Sequence, residues 1–229
     1  MEFTKLSNRL DLVASFVPAG ARLLDVGSDH AYLPIALLQE GKIEAAIAGE
    51  VVEGPYQSAL QNVADNGLED KIEVRLANGL AAFEPTDGIS CITIAGMGGR
   101  LIADILAAGL EKLASVSRLV LQPNNREDEL RAWLVDNDFH IVDEAILEEN
   151  EKFYEILVVE QGSQELTAKE LRFGPYLMRE QAPAFVQKWS KEVEKLAFAL
   201  EQVPVENQSA RASLEERIAH IKEVLHVSK

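Results

Sequence analysis

The run Arg22-Leu23-Leu24-Asp25-Val26-Gly27-Ser28-Asp29-His30 decides how the rest of this chain folds. Apolar residues and one acid lead into Gly27, and a helix-like segment begins near Leu33, so the pattern predicts a buried strand, a tight turn and a helix. Glycine permits a sharp turn and lets a ligand approach the backbone closely. The turn would also point the amide groups of the helix N-terminus at whatever lies above the strand.

The residues around Gly27 restrict what this turn could bind. A dinucleotide site has the pattern G-x-G-x-x-G and holds a diphosphate, whereas here Gly27 is followed by Ser28, Asp29 and His30. Asp25 and Asp29 would repel a diphosphate but would accept a cationic or zwitterionic ligand. S-adenosylmethionine has a sulfonium, an amino group and no phosphate, and it fits that description. A strand-turn-helix unit without a ligand is the alternative interpretation.

The composition is that of a soluble globular protein. The chain has 229 residues, of which 47% are hydrophobic and 26% charged, enough for one large domain or one domain with a small appendage. The single cysteine excludes a disulfide framework, and the four scattered histidines form no metal-binding pattern, so no metal is predicted. No apolar run reaches about 18 residues, so no membrane span is predicted. The N-terminus lacks a signal-like apolar core, and we expect a cytoplasmic protein.

Charged side chains are distributed unevenly along the chain. The net charge is −16, which argues mildly against a polyanionic partner. Residues 1–160 carry 12 basic and 28 acidic side chains, whereas residues 161–229 carry 10 of each. The C-terminal part is therefore the less acidic surface.

A second strand is predicted over residues 44–50, with an acid at its end. Glu50 follows Asp25 by 25 residues, and an acid at this place in a doubly wound fold can bind the hydroxyls of an adenosine ribose. An exposed strand-end carboxylate is the alternative. A third strand over 72–76 leads to Asn78-Gly79, where such a fold contacts adenine, although Asn-Gly by itself indicates only a turn.

Two further strands end in unusual loops. The strand over 89–95 leads into Gly96-Met97-Gly98-Gly99, and glycines at that density are costly unless the backbone must approach something closely. They could also make room for the helix predicted over 101–113. The strand from Ser117 ends in Gln122-Pro123-Asn124-Asn125, whose amides suit the edge of a base or could cap the following helix. Cys91 is predicted to be a small buried strand residue.

Helices are predicted at both ends of the chain. The helix over 4–17 contains Arg9. This side chain is predicted either to be solvated or, because a helix just before the first strand can overhang the cofactor site, to reach that site. Strands over 140–147 and 153–160 are joined by so short a link that they predict a hairpin, and hence an antiparallel edge on a parallel sheet. Apolar stripes over 183–203 and 214–225 predict an antiparallel helical hairpin close to a coiled coil. We expect its basic residues to contact phosphates, namely Lys188, Lys191, Lys195 and Arg211.

Together these elements predict an α/β fold and resemble the Rossmann-like sheet of a class I methyltransferase, mostly parallel with an antiparallel edge hairpin, followed by a C-terminal helical coiled-coil hairpin. The motifs Asp25-Val-Gly-Ser-Asp29-His30, Ile94-Ala-Gly-Met-Gly-Gly99 and Leu121-Gln-Pro-Asn124, with the helical tail, resemble the TrmK family of bacterial tRNA (adenine-N1) methyltransferases, which modify position 22 in the D-arm. The resemblance covers essentially the whole chain. It implies a Rossmann-like methyltransferase domain over 1–160 and a helical coiled-coil domain over 161–229.

The resemblance also implies residue roles. The S-adenosylmethionine pocket would be lined by Asp25, Gly27, Ser28, Asp29, His30, Glu50, Val51, Asn78, Gly79 and Ala95. The target base would face Gly96, Met97, Gly98, Gly99, Gln122, Pro123 and Asn124. The expected partner is tRNA, and no protein partner is evident. We assign no catalytic acid or base, because adenine N1 carries an in-plane lone pair and is largely neutral at pH 7.

Other classes of function stay open at this stage. One is a nicotinamide-dependent oxidoreductase, against which the missing glycines and Asp29 count. Another is a non-catalytic module that binds a nucleoside and associates through the tail. A methyltransferase acting on another RNA, a protein or a small molecule is the third.

Overall fold

The structure is a computed structural model that describes residues 4–226. No helix in that range is long and apolar enough to cross a membrane. The strands are β1 (Ala21–Val26), β2 (Ile43–Glu50), β3 (Ile72–Leu76), β4 (Cys91–Met97), β5 (Arg118–Pro123), β6 (Phe139–Glu149) and β7 (Lys152–Gln161). The α-helices are α1 (Asn8–Phe16), α2 (Tyr32–Gln39), α3 (Glu53–Asp65), α4 (Gly99–Ala107), α5 (Glu127–Asp136), α6 (Ala168–Phe173), α7 (Pro175–Glu180), α8 (Pro183–Gln202) and α9 (Gln208–His226).

The described strands form one sheet in the order β3-β2-β1-β4-β5-β7-β6. Strands β1 to β5 are parallel, β7 runs antiparallel to β5, and β6 runs antiparallel to β7. The predicted fold class, a mostly parallel sheet with an antiparallel edge hairpin and a helical C-terminus, is confirmed. Because β1 to β5 share one direction, the loops that follow them meet at one edge of the sheet.

The central strands are buried on both faces, as strands of a parallel sheet covered by helices must be. In β1, Leu24 and Val26 belong to the apolar layer that contains α4 and α5, whereas Leu23 belongs to the layer that contains α1 to α3. Cys91 in β4 is fully buried, as predicted. Burial raises the pKa of its thiol to about 12, so this cysteine has no nucleophilic character at neutral pH.

Two helices differ in length from their predicted ranges. Helix α1 begins at Asn8 rather than near residue 4, because the Ser7 hydroxyl caps it by accepting the Leu10 N–H at 3.2 Å. The helix predicted over 101–113 ends at Ala107 and is followed by a separate 3₁₀-helix, Leu110–Ser115. Gly109 lies at the break, where a Cβ would stand 2.8 Å from Cβ of Leu80. The chain therefore changes course where two segments pack too closely for a side chain.

The C-terminal helices, residues 168–226, pack against the edge hairpin of the sheet. Helices α8 and α9 form the predicted helical hairpin, with Phe185 and Trp189 of α8 and Ile221 of α9 buried in its core. The same apolar cluster includes Ile146 of β6. The tail thus covers an edge strand that would otherwise expose apolar side chains. The domain division at residue 160 remains a prediction.

A buried ionic cluster joins the sheet to the tail. The fully buried Arg131 of α5 donates from Nε to Glu144 of β6 at 2.8 Å and from Nη2 to Glu155 of β7. Glu155 also accepts from Nζ of Lys188 in α8 at 2.7 Å. Burial alone would raise the pKa of Glu155, but the two cations hold it below its ordinary value. Each charge is paired, as buried charges must be.

Candidate functional site

The turn after β1 is built from an unusual run of left-handed residues. Gly27 has a φ of +66°, and Asp29, His30 and Ala31 follow with φ of 45°, 68° and 59° before α2 begins at Tyr32. A left-handed conformation costs a non-glycine residue about 1–3 kcal/mol, and such strain concentrates at functional sites. A Cβ on Gly27 would stand 2.4 Å from Cε of Met97. The turn therefore lies directly against the glycine-rich loop after β4.

Asp25 fixes this turn in place. Its carboxylate accepts the Ser28 hydroxyl and the Thr93 hydroxyl of β4, each at 2.6 Å, and the side chain is only 4% exposed. Burial raises the pKa of Asp25 despite these two hydrogen bonds, and the neighbouring Asp29 adds to the rise. Thr93 is a residue that the sequence analysis missed. The available signal was a polar residue in the middle of an otherwise apolar strand.

Glu50 offers an acceptor that nothing in the described protein uses. It lies at the end of β2, 6% exposed, and its Oε1 is buried without a hydrogen-bond partner. Burial raises the pKa of Glu50, and Asp25 and Asp29 raise it further, while the Asp29 backbone N–H opposes the rise. A buried carboxylate oxygen without a donor is costly. A hydroxyl-bearing ligand at the strand end would supply the missing donor.

The other residues expected to bind the cofactor lie at the same edge of the sheet, with Val51, Asn78 and Gly79 near Glu50 and His30 in the turn after β1. Val51 follows Glu50 directly and is 58% exposed. Asn78 precedes a 3₁₀-helix that begins at Gly79, and the Ala77 N–H donates to the Glu50 carbonyl at 2.7 Å, so this segment is held beside Glu50. His30 is partly exposed, with Nε2 3.4 Å from Oδ1 of Asp29.

A cavity of about 250 Å³ brings the strand-end residues together. From the turn it is lined by Asp25, Gly27, Ser28 and Asp29, and from the loop after β4 by Ala95, Gly96 and Met97. Arg9 and Leu10 of α1 and Leu33 of α2 complete its wall. The two leucines were not predicted. The acids and the absence of a G-x-G-x-x-G turn suit a zwitterionic ligand better than a diphosphate.

An amide cluster stands beside this cavity, at the ends of β4 and β5. Oε1 of the buried Gln122 accepts from Arg9 Nη1 at 2.6 Å and from the Gly96 N–H at 3.0 Å. Its Nε2 donates to the Pro123 carbonyl at 2.8 Å and to Oδ1 of Asn124 at 3.1 Å. Both ends of the Gln122 amide are therefore engaged within the protein. Gln122 orders the cluster rather than offering a free edge.

Asn124 is the exposed member of the cluster. Its Nδ2 donates to the Gly96 carbonyl at 2.7 Å, and its backbone N–H donates to the Met97 carbonyl at 2.7 Å. Gly96 therefore lines the cavity and is also held by the amide cluster.

The other two glycines of the loop after β4, Gly98 and Gly99, differ in what surrounds them. A Cβ on Gly99 would stand 2.5 Å from the Arg126 carbonyl oxygen, so close packing against the backbone explains why this residue is a glycine. A Cβ on Gly98 would contact only the exposed side chain of Asn125, at 3.1 Å.

The basic residues expected to contact phosphates have partners inside the protein. Lys188 binds Glu155 and, at 3.0 Å, Glu127, while Lys191 lies 3.2 Å from Glu148. Lys195 lies 3.6 Å from Glu192 of the same helix. Arg211 donates to two carbonyls at the end of α8, those of Leu200 and Val203, and so closes the helical hairpin. Arg9 lies in the cavity wall, with its guanidinium 5.6 Å from the centre of the Tyr154 ring.

The strand order and the cavity at the carboxyl end of β1 define a class I methyltransferase of Rossmann-like fold. Within that class the chain belongs to the TrmK family, whose model, tRNA (adenine(22)-N(1))-methyltransferase, matches residues 23–223. The chain is 39% identical to the tRNA (adenine(22)-N(1))-methyltransferase of Bacillus subtilis (strain 168), over 98% of this chain and 99% of that protein.

Solved structures of similar chains agree with this assignment. Streptococcus pneumoniae Sp1610 in complex with S-adenosyl-L-methionine has 66% sequence identity and a TM-score of 0.90, over 97% of this chain and 100% of that one. M. capricolum TrmK in complex with S-adenosyl-homocysteine has 28% identity and a TM-score of 0.84, over 98% of this chain and 99% of that one. The family is therefore S-adenosylmethionine-dependent, as the acidic turn predicted.

Proposed function

We propose that this chain transfers a methyl group from S-adenosylmethionine to N1 of adenine 22 in tRNA. One observation carries the proposal at the level of this chain's residues. Gly96 lines the cavity that contains Asp25 and Asp29, and its carbonyl and amide are held by Asn124 and Gln122. A donor in the cavity and a base against the amide cluster would therefore meet at Gly96.

Residues in and around the cavity fit the proposed cofactor, although Glu50, Asn78 and Gly79 lie along the same sheet edge and not in the cavity lining. The unpartnered oxygen of Glu50 would accept from a ribose hydroxyl, and Asn78-Gly79 would contact the adenine ring. Asp25 acts as a positioning residue, because both of its oxygens hold hydroxyls of the protein. Asp29, whose side chain is 84% exposed, lines the cavity and would attract a cationic group of the ligand. S-adenosylmethionine itself supplies a methyl group on a good leaving group.

The chain's part in the reaction is to position the base. N1 lies on the Watson–Crick edge, so the nucleotide must be unpaired or extruded before the reaction. The exposed Asn124 and the backbone at Gly98, which faces only the uncharged side chain of Asn125, would hold the extruded adenine without a competing charge. Alignment of N1 with the methyl group then accounts for catalysis, and we name no general base. In this proposal residues 1–160 carry the chemistry, residues 161–229 assist docking, and a tRNA substrate favours the cytoplasm.

Incubation with labelled S-adenosylmethionine and bulk tRNA from a strain lacking this protein tests the proposal. We expect label in N1-methyladenosine after digestion of the tRNA to nucleosides. Binding of the cofactor without any transfer would favour the non-catalytic nucleoside-binding alternative. Label in a different nucleoside, or only in protein, would favour another methyltransferase specificity.

Replacing Glu50 by glutamine should weaken S-adenosylmethionine binding by about 1–3 kcal/mol, the scale for losing a charged hydrogen-bond partner. The physical reason is that Oε1 is the one buried carboxylate oxygen in the described protein without a donor. Calorimetry would measure the dissociation constant. Glu53→Gln is the matched control, because Glu53 is an exposed acid on the next helix that accepts from Nε2 of Gln57, one turn further along, at 2.8 Å. Equal affinities for Glu50→Gln and the wild type would reject the ribose role.

A further inference from the structure

A second, larger cavity lies between the sheet and the tail. It has a volume of about 870 Å³ and runs between the loop after β5, the start of β7 and helices α6 and α8. We call it the tail groove and define it by Asn124, Lys152, Tyr154, Arg172, Trp189 and Lys195. Nothing in the cofactor site requires a cavity of this size at this position.

The tail groove is more basic than the rest of the molecule. Five cationic and three anionic side chains line it, on a chain whose net charge is −16. An excess of cations within a groove, on an otherwise acidic protein, marks the surface where an anionic ligand is attracted rather than repelled. Lys188 and Lys191 pair with Glu155 and Glu148, which lie outside this lining, so the attraction for an anion rests on the cations that have no such partner.

Two of the cations are free to bind such a ligand. Within residues 4–226, neither Arg172 nor Lys152 has a carboxylate within 4.0 Å, in contrast to Lys188 and Lys191. The Arg172 guanidinium lies 5.1 Å from the ring centre of Phe173 and 5.6 Å from that of Trp189, so its position is fixed by packing. Burial lowers the pKa of Arg172 and Arg217 lowers it further, while Glu192 and Asp128 in the same groove act in the opposite direction. A phosphate within hydrogen-bonding distance of the guanidinium would add to the stabilisation of its charged form.

The tail groove opens onto the amide cluster. Asn124 lines the groove and also holds the Gly96 carbonyl. Tyr154 lines the groove and contacts Arg9, which in turn binds Gln122. A nucleotide strand that places one base against Asn124 can therefore continue directly into the groove.

We propose that the tail groove holds the phosphate backbone of the RNA strand flanking the target adenine, with Arg172 and Lys152 contacting phosphates. This inference rests on the proposed function and deepens it, since it assigns the face that docks the substrate. It also differs from the expectation for Lys188 and Arg211. Lys188 is held by buried and half-buried acids, and Arg211 serves the hairpin turn.

The test is tRNA binding by Arg172→Met, Lys152→Met and the double variant, measured at several salt concentrations. Methionine keeps an apolar stem against Trp189 while it removes the charge. We expect each single variant to weaken tRNA binding by about three- to tenfold and to lower the salt slope by about one. The S-adenosylmethionine dissociation constant should not change. Because Lys152 is exposed, its variant reports on binding even if Arg172→Met folds poorly.

Matched controls separate this effect from a general loss of charge. Arg179→Met removes an arginine of the same tail that stacks on Tyr176 outside the groove, and Lys71→Met removes an exposed lysine before β3. Both should bind tRNA like the wild type. If the wild type methylates tRNA but the double variant binds it with unchanged affinity and salt slope, the groove assignment is overturned alone. If the wild type does not methylate tRNA at all, both proposals fall.

Discussion

Asn124→Ala should lower the single-turnover rate of methyl transfer to tRNA by roughly a hundredfold, the scale for losing one preorganised polar group at a reacting centre. Asn124 is the exposed amide of the cluster, and it also holds the Gly96 carbonyl at 2.7 Å. Its loss would remove the partner of the base and would loosen the loop at which base and methyl group meet. Rapid-quench measurement at saturating cofactor would give the rate.

The cofactor affinity of Asn124→Ala should stay within about twofold of the wild type, because the amide lies outside the lining of the smaller cavity and the Gly96 N–H stays bound to Gln122. Asn137→Ala is the matched control, since Asn137 is an amide at the far end of α5 whose Nδ2 donates to the Trp133 carbonyl. Gly98→Val is a second variant, which adds bulk where the base is proposed to lie and so tests whether the base needs that space. Unchanged rates in both Asn124→Ala and Gly98→Val would mean that the base binds elsewhere.

Arg131→Met should destabilise the protein by about 3–5 kcal/mol, the cost of leaving buried charges without their partner. Glu144 and Glu155 both lose a hydrogen-bonded cation, and only Lys188 and the Tyr176 N–H remain to them. Urea denaturation would measure the free energy of unfolding. Arg126→Met is the control, because Arg126 is exposed and pairs with Glu129 across the surface, where a pair contributes about 0–1 kcal/mol. Similar losses in the two variants would contradict the account.

The same cluster predicts a dependence on pH. The pKa of Glu155 lies below its ordinary value of 4.5 in the folded protein. Ionised Glu155 therefore contributes stability above pH 4.5, and this contribution is lost as the pH falls toward the folded-state pKa. The difference in unfolding free energy between the wild type and Glu155→Gln should accordingly shrink as the pH is lowered below that value.

The features that could be predicted from the sequence are those with a local signal. Leu23, Leu24 and Val26 form a continuous apolar run before a glycine, and such a run is typical of a strand buried on both faces. The place of Glu50 followed from its distance along the chain after Asp25, because one strand-helix unit separates equivalent strand ends. The helical hairpin of the tail followed from the spacing of Phe185, Trp189 and Leu196, all of which are buried.

The features that could not be predicted depend on contacts between distant residues. Arg9 and Gln122 are 113 residues apart and form a hydrogen bond that no local pattern indicates. Arg131 lies in a helix whose sequence is largely polar, which predicts an exposed side chain. It is nevertheless fully buried, because Glu144 and Glu155 of the edge hairpin both bind it. The sequence of the tail likewise predicts a surface of lysines that are free to bind phosphates. Only the packing of α8 against the sheet shows that Lys188 is committed to an acid of β7.

The most direct test of the account is methyl transfer to a tRNA transcript with adenine at position 22, compared with the same transcript carrying guanine there. We expect N1-methyladenosine approaching one residue per molecule in the first transcript and none in the second. Transfer to the guanine-22 transcript at a comparable rate, or label in a nucleoside other than N1-methyladenosine, would contradict it.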